Sequence, residues 1–177
     1  MRLKEVTYCG AMVAVIALLG IIPPFPLPGL PVPISLQTTG IMLAGSLLGK
    51  KLGTISVLIF LLMVSLGLPL LTGFRGGFAV FLGPTAGYLF SWPICAFLIG
   101  WLVEKLPITA VFWRFLVANL LGGMVVMNLI GLLGLVLLQN LPLAHAFWGS
   151  LIFYPGDALK AVVVAMVTQQ LAGRIKL

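Results

Sequence analysis

Apolar residues fall in long unbroken runs along this chain. They show neither the two-residue alternation of a half-buried strand nor the one-sided stripe of a surface helix. About 20 consecutive apolar residues carry an α-helix across a bilayer. Six segments approach that length: residues 6–22, 36–49, 54–71, 84–103, 110–138 and 155–172. The second is short for a span and needs its flanks. The breaks are chemically sharp. A stiff stretch, PPFPLPGLPVP (23–33), follows the first run, and Lys50, Lys51 and Gly53 make a turn after the second. The loop TGFRGGFAVFLG (72–83) follows the third, Glu104, Lys105 and Pro107 close the fourth, and Gln139, Asn140 and Pro142 close the fifth. A partly apolar connector with His145 and Trp148 leads into the last. Strands of a membrane barrel would instead alternate in segments of about ten residues. The pattern predicts an all-α, polytopic membrane protein with six transmembrane helices, a single domain over residues 1–177.

Composition narrows the function classes. Hydrophobic residues make up 62% of the 177 positions and charged residues 7%, with a mean hydropathy of +1.25. Soluble domains carry about 25% charged residues, so a water-facing surface cannot be covered, and a soluble enzyme, a nucleic-acid binder and a disordered chain are excluded. The net charge of +7 forms no dense basic patch; in a membrane protein it is a topology signal. Six crossings put both termini on one face, together with Arg2, Lys4, Lys50, Lys51, Lys105, Arg174 and Lys176, and with Arg114 close by. Only Arg75 and Lys160 fall on the other. The bias predicts cytoplasmic N- and C-termini, and the expected location is the cell (plasma) membrane, crossed several times. Arg2 and Lys4 before an apolar run also fit a cleaved signal peptide. The run is long for that, however, and no small-residue cleavage motif precedes the prolines.

Ionisable groups inside a membrane helix cost about 2.5–3.5 kcal/mol each on insertion scales, so they mark function. Arg75, Asp157 and Lys160 stand out, all at the external end. Asp157 and Lys160 are three apart in YPGDALKA (154–161) and share a helix face. Pro155 suits a first turn, which puts Asp157 near the positive end of the helix dipole, where a carboxylate stays ionised. Arg75 lies in GFRGG, where glycines let a backbone approach a ligand and a guanidinium can grip a carboxylate at two points. Gln37 offers both donor and acceptor, either to a ligand or to a helix end. Tyr88 and Trp92 could stack on a ligand or serve as interface aromatics.

Other features read as packing. Gly45-xxx-Gly49 and Gly10-xxx-Ala14 allow close helix approach; most such spacings serve internal packing, though the small-residue face on the first helix could equally dock a partner protein. Asn119 and Asn128 are expected to hydrogen-bond between helices, His145 to sit in the last external loop, and Cys9 and Cys95 to be small buried hydrophobes. No disulfide or metal site is expected. GSLLGKK lacks the phosphate-loop spacing, and neither HExxH nor GxSxG is present. Three carboxylates cannot build a two-metal site. Proton-coupled carriers place carboxylates or histidines near the midplane, whereas here the charges cluster at one end. The chemistry is binding, with no catalytic residue and no cofactor.

Three separated segments, PVPISLQTTGIMLAG (31–45), GFRGGFAVFLGPTAGYL (73–89) and YPGDALKA (154–161), together resemble the BioY family, the biotin-binding S components of energy-coupling factor (ECF) transporters. The resemblance spans nearly the whole chain. It implies a six-helix S-component fold that captures biotin from outside with high affinity. It also implies partners, namely a membrane-embedded coupling protein and a pair of cytoplasmic ATPases. Small residues on the first helix meet the coupling protein in that family, so Gly10, Ala11, Ala14 and Ala17 would supply that face. The family's aspartate and lysine fall on Asp157 and Lys160, and the polar residue of its glycine-rich loop on Arg75. Biotin's chemistry fits: Asp157 can accept from the ureido N–H groups, Lys160 or Gln37 can donate to the ureido oxygen, and Arg75 can hold the carboxylate, with Lys160 able to exchange roles with it. A stand-alone secondary carrier for biotin or another small organic anion is the alternative, and a small intramembrane enzyme or assembly factor a third reading.

Overall fold

The computed structural model describes residues 3–26 and 32–171. These residues form α1 (Leu3–Ile21), α2 (Gln37–Ser65), α3 (Ala86–Lys105), α4 (Val111–Ala118), α5 (Val126–Gln139), α6 (Leu143–Leu151) and α7 (Phe153–Leu171). A short 3₁₀ turn covers Phe78–Phe81, and a π-helical segment, Asn119–Val125, fuses α4 to α5. The proline-rich stretch is described at its ends, where Phe25 and Ile34 exchange two backbone hydrogen bonds of 2.9 Å. Arg2, residues 27–31, Ala172, Arg174 and Lys176 lie outside the described residues.

Helix α2 is two passes, not one. A straight helix of its 29 residues would be about 43 Å long and would hold its ends far apart. Yet the Gln37 side chain bonds to Leu70 and Thr72, just beyond the far end. The chain folds back at Gly49, whose backbone (φ 71°, ψ −177°) is not helical and lies where a side chain is strained. A Cβ at Gly53 would come within 2.5 Å of the Ala44 carbonyl oxygen, so the two arms touch directly beside the break. The turn expected over Lys50–Gly53 is thus tighter than the sequence suggests: helix resumes at once after Gly49, and Lys50 pairs with Glu104 at 2.6 Å. Gly49 itself is the hinge rather than half of a packing motif, while Gly45 does pack closely, against Ala96 and Ile99 of α3.

Other boundaries shift for identifiable reasons. The second arm stops at Ser65 instead of continuing to residue 71, because Gly67 takes φ 102° and Pro69 follows. The connector holding His145 and Trp148 is not a loop but helix α6, and α7 begins at Phe153, bent 41° from it. Helix α5 ends as expected at Asn140, which adopts the left-handed conformation (φ 52°) that closes many helices.

With α2 divided and the bent pair α6–α7 taken as one, the described residues make six passes: α1, the two arms of α2, α3, the fused α4–α5 and α6–α7. Ile16, Ile41, Met42, Phe60, Val64, Ile99 and Val164 are fully buried between them. Leu62, Leu133, Leu137 and Leu159 are exposed, as lipid-facing residues of a bundle are. Asn119 does bond across helices, to Ser46 at 2.9 Å. Cys9 and Cys95 are buried and free. Gly10, Ala11 and Ala14 lie on the exposed side of α1, with Ala17 half-buried, and a Cβ at Gly10 would meet nothing within 4 Å.

Candidate functional site

A pocket opens at the end of the bundle opposite the Gly49 hinge. Its walls come from residues 32–35, the start of α2, the loop 71–75, and helices α3, α5 and α7. Gln37, Arg75, Tyr88, Asp157 and Lys160 all line it, so the five residues singled out in the sequence share one cavity although up to 123 positions separate them. Trp92 lines it too.

At its base is a buried charge pair. Lys160 Nζ donates to Asp157 Oδ1 at 2.9 Å, with side chains only 9% and 8% exposed. The same ammonium donates to Thr38 Oγ1 at 3.0 Å, which leaves one of its three N–H groups. Asp157 Oδ2 accepts from Asn128 Nδ2 at 2.9 Å. A pair this buried gains little stability over apolar packing, so its placement at a cavity points to a ligand.

Three polar atoms around it lack partners: the Tyr88 hydroxyl, Trp92 Nε1 and Asn128 Oδ1 are buried without a hydrogen bond. Such groups cost about 1–3 kcal/mol each when left unpaired, and a guest with complementary donors and acceptors would satisfy them. The rings are firmly backed. Tyr88 stands 5.9 Å from Phe153 and Trp92 6.1 Å from Phe60, centroid to centroid. At the mouth Arg75 is exposed; its Nε donates to Thr72 O at 3.3 Å, and its terminal N–H groups make no hydrogen bond among the described residues. Gln37 differs from the rest: it is 1% exposed, and its amide is spent on protein partners.

Asn128 has a role beyond helix–helix bonding. It does bond between helices, as expected, but the bond is to the site's carboxylate. The usable signal was its depth in an apolar run, where a polar side chain marks function. Each residue of a helix turns the next by about 100°, so the π segment, by adding to the turn, changes which face of α5 looks inward. That segment is invisible in a uniformly apolar sequence. Among the described residues no three His, Cys, Asp or Glu side chains gather as metal ligands would.

Comparison with known proteins shows which family this chain resembles throughout its length. A family model described as the BioY family matches residues 1–176. The chain belongs to the BioY family. It is 42% identical to the biotin transporter BioY of Lactococcus lactis over 172 residues, 96% of this chain and 91% of that protein. It is 41% identical to the biotin transporter BioY of Rhizobium etli, over 94% and 92% of the two chains. It superposes on the crystal structure of the S-component for biotin from an ECF-type ABC transporter with a TM-score of 0.92, at 41% identity, covering 97% of this chain and 92% of that one. The fold is therefore the ECF S-component fold, that of a multi-pass membrane transport protein, and the relatives carry transporter names.

Proposed function

We propose that this chain is a biotin-capturing S component, a single transmembrane binding domain that takes the vitamin from the outer face of the plasma membrane. It delivers biotin to an ATP-driven module made of a membrane-embedded coupling protein and two cytoplasmic ATPases. The observation that carries the reading is the buried Asp157–Lys160–Asn128 cluster beneath an aromatic pocket with Arg75 at its mouth. The names of the relatives supply the ligand.

The chemistry follows from the donors and acceptors. A ureido ring presents two N–H groups and one carbonyl. Asp157 has lone pairs remaining and Asn128 Oδ1 has no partner, so these two accept the N–H groups. The third N–H of Lys160 and the Tyr88 hydroxyl can donate to the carbonyl oxygen. Trp92 and Phe153 cover the thioether ring, as apolar walls with few polar anchors commonly do. Arg75 meets the valerate carboxylate in a two-point grip. One acid and two bases leave a charge of +1 for a monoanion.

Orientation and partner contact belong to the same proposal. Lys4, Lys50, Lys51, Lys105 and Arg114 lie at helix ends on the Gly49 side, which supports cytoplasmic termini under the positive-inside rule. The exposed face of Gly10, Ala11, Ala14 and Ala17 suits close approach by another membrane helix and is assigned to the coupling protein. The test is calorimetric titration of purified protein with biotin and with biotin methyl ester. Biotin should bind one to one, and the ester at least about tenfold more weakly, since it loses the charge-assisted pair with Arg75. Absence of biotin binding would refute the proposal.

A further inference from the structure

Gln37 lines the ligand pocket yet has no hydrogen-bonding capacity left for a ligand. An amide carries two N–H donors and two acceptor lone pairs. Nε2 donates to Ile16 O of α1 at 3.3 Å and to Leu70 O at 2.8 Å. Oε1 accepts from the Thr72 N–H at 2.9 Å and the Thr72 hydroxyl at 2.8 Å. Ser35 completes the knot: its Oγ lies 2.6 Å from Thr72 Oγ1 and accepts from the Gln37 backbone N–H at 3.0 Å.

The segment so held carries Arg75. Leu71 and Arg75 exchange two backbone hydrogen bonds, of 3.0 and 3.2 Å, and Arg75 Nε donates to Thr72 O. Fixing Leu70 and Thr72 therefore fixes the turn from which the guanidinium extends. Helix α1 is shaped for this contact. A Cβ on Gly20 would stand 2.5 Å from Gln37 Nε2 and 2.6 Å from Leu70 O, so only glycine lets α1 come close enough for the amide to reach Ile16 O.

We propose that Gln37 is a positioning residue that makes no bond to the ligand. It hangs the turn 70–75 on α1 and α2 and so holds Arg75 over the pocket mouth. The proposal deepens the reading above and rests on it for Arg75's role toward biotin. It reassigns Gln37 from the ureido oxygen to the loop.

Gln37→Met keeps the volume and removes all four side-chain bonds. In ligand-free protein, hydrogen–deuterium exchange at the Thr72 amide should rise at least about tenfold, because its acceptor is gone. Biotin affinity should fall about tenfold, through faster dissociation. In the Arg75→Ala background the same change should cost less than about twofold more, since residues acting through one another are non-additive. Gly20→Ala, whose Cβ would press on the amide and on Leu70 O while leaving the Gln37 side chain itself intact, should reproduce each result. Unchanged Thr72 exchange, full additivity with Arg75→Ala, or an Arg75→Ala protein of wild-type affinity would each overturn the proposal. A wild-type protein that ignores biotin would sink the ligand reading alone, with Thr72 exchange still deciding whether the clamp exists.

Discussion

Asp157→Asn isolates the charge of the site from its shape. The substitution is isosteric, but it replaces one carboxylate oxygen with an NH2 group. Oδ1 accepts from Lys160 and Oδ2 from Asn128, each at 2.9 Å, so either orientation of the new amide sets donor against donor. On the ligand side, the lost interaction is a hydrogen bond from a ureido N–H to a charged acceptor, worth about 1.5–3 kcal/mol. At about 1.4 kcal/mol per decade, that weakens biotin binding roughly 10- to 150-fold. On the protein side, the change strands an ammonium that is 9% exposed. Breaking one partner of a buried pair costs about 3–5 kcal/mol. The low end applies, because Thr38 Oγ1 still accepts from Lys160. Titration calorimetry in detergent reads the first effect and thermal unfolding the second. The double change Asp157→Asn with Lys160→Met should restore most of the stability and none of the binding. A dissociation constant for Asp157→Asn within about threefold of wild type, a change below 1 kcal/mol, would refute the role given to Asp157.

Three further outcomes are expected. Asn128→Leu removes the donor to Asp157 Oδ2 and an acceptor for the ligand, and should weaken biotin binding by about 1–3 kcal/mol in the same titration. Gly131→Ala places a Cβ against the Tyr88 ring; overpacking of this kind costs about 1–3 kcal/mol, and thermal unfolding should show the loss together with reduced affinity as the ring is pushed from its seat. Ala14→Trp, on the exposed side of α1, should leave biotin affinity of the isolated protein unchanged while cutting uptake in cells that carry the coupling module at least about tenfold, as a central interface residue does; equal uptake would remove that face from the partner contact.

What the sequence revealed follows from where its chemistry is unambiguous. Apolar runs, all but the second long enough to span and each broken by Gly, Pro or charge, located the six passes, because a bilayer leaves the backbone few alternatives to helix. Breaks set by backbone conformation were less legible. The hinge at Gly49 and the early stop at Ser65 depend on dihedral angles of single residues, and α6 is nine residues long, too short to stand out from a connector. In the site, Asp157, Lys160 and Arg75 were conspicuous because charge is rare here. The engagement of Gln37 was not, because its partners Ile16, Leu70 and Thr72 are brought to it only by the tertiary fold. Asn128 reaches Asp157 by a helical phase that the π segment sets, and no residue pattern announces that segment.

The most direct test of the central claim, that opposite charges at the outer mouth of an apolar bundle grip biotin, is mass spectrometry of the small molecules released when protein purified from biotin-fed cells is denatured. Biotin should come off the wild type at close to one equivalent and be absent from Asp157→Asn. Release of a different anion, or of equal biotin from both proteins, would contradict it.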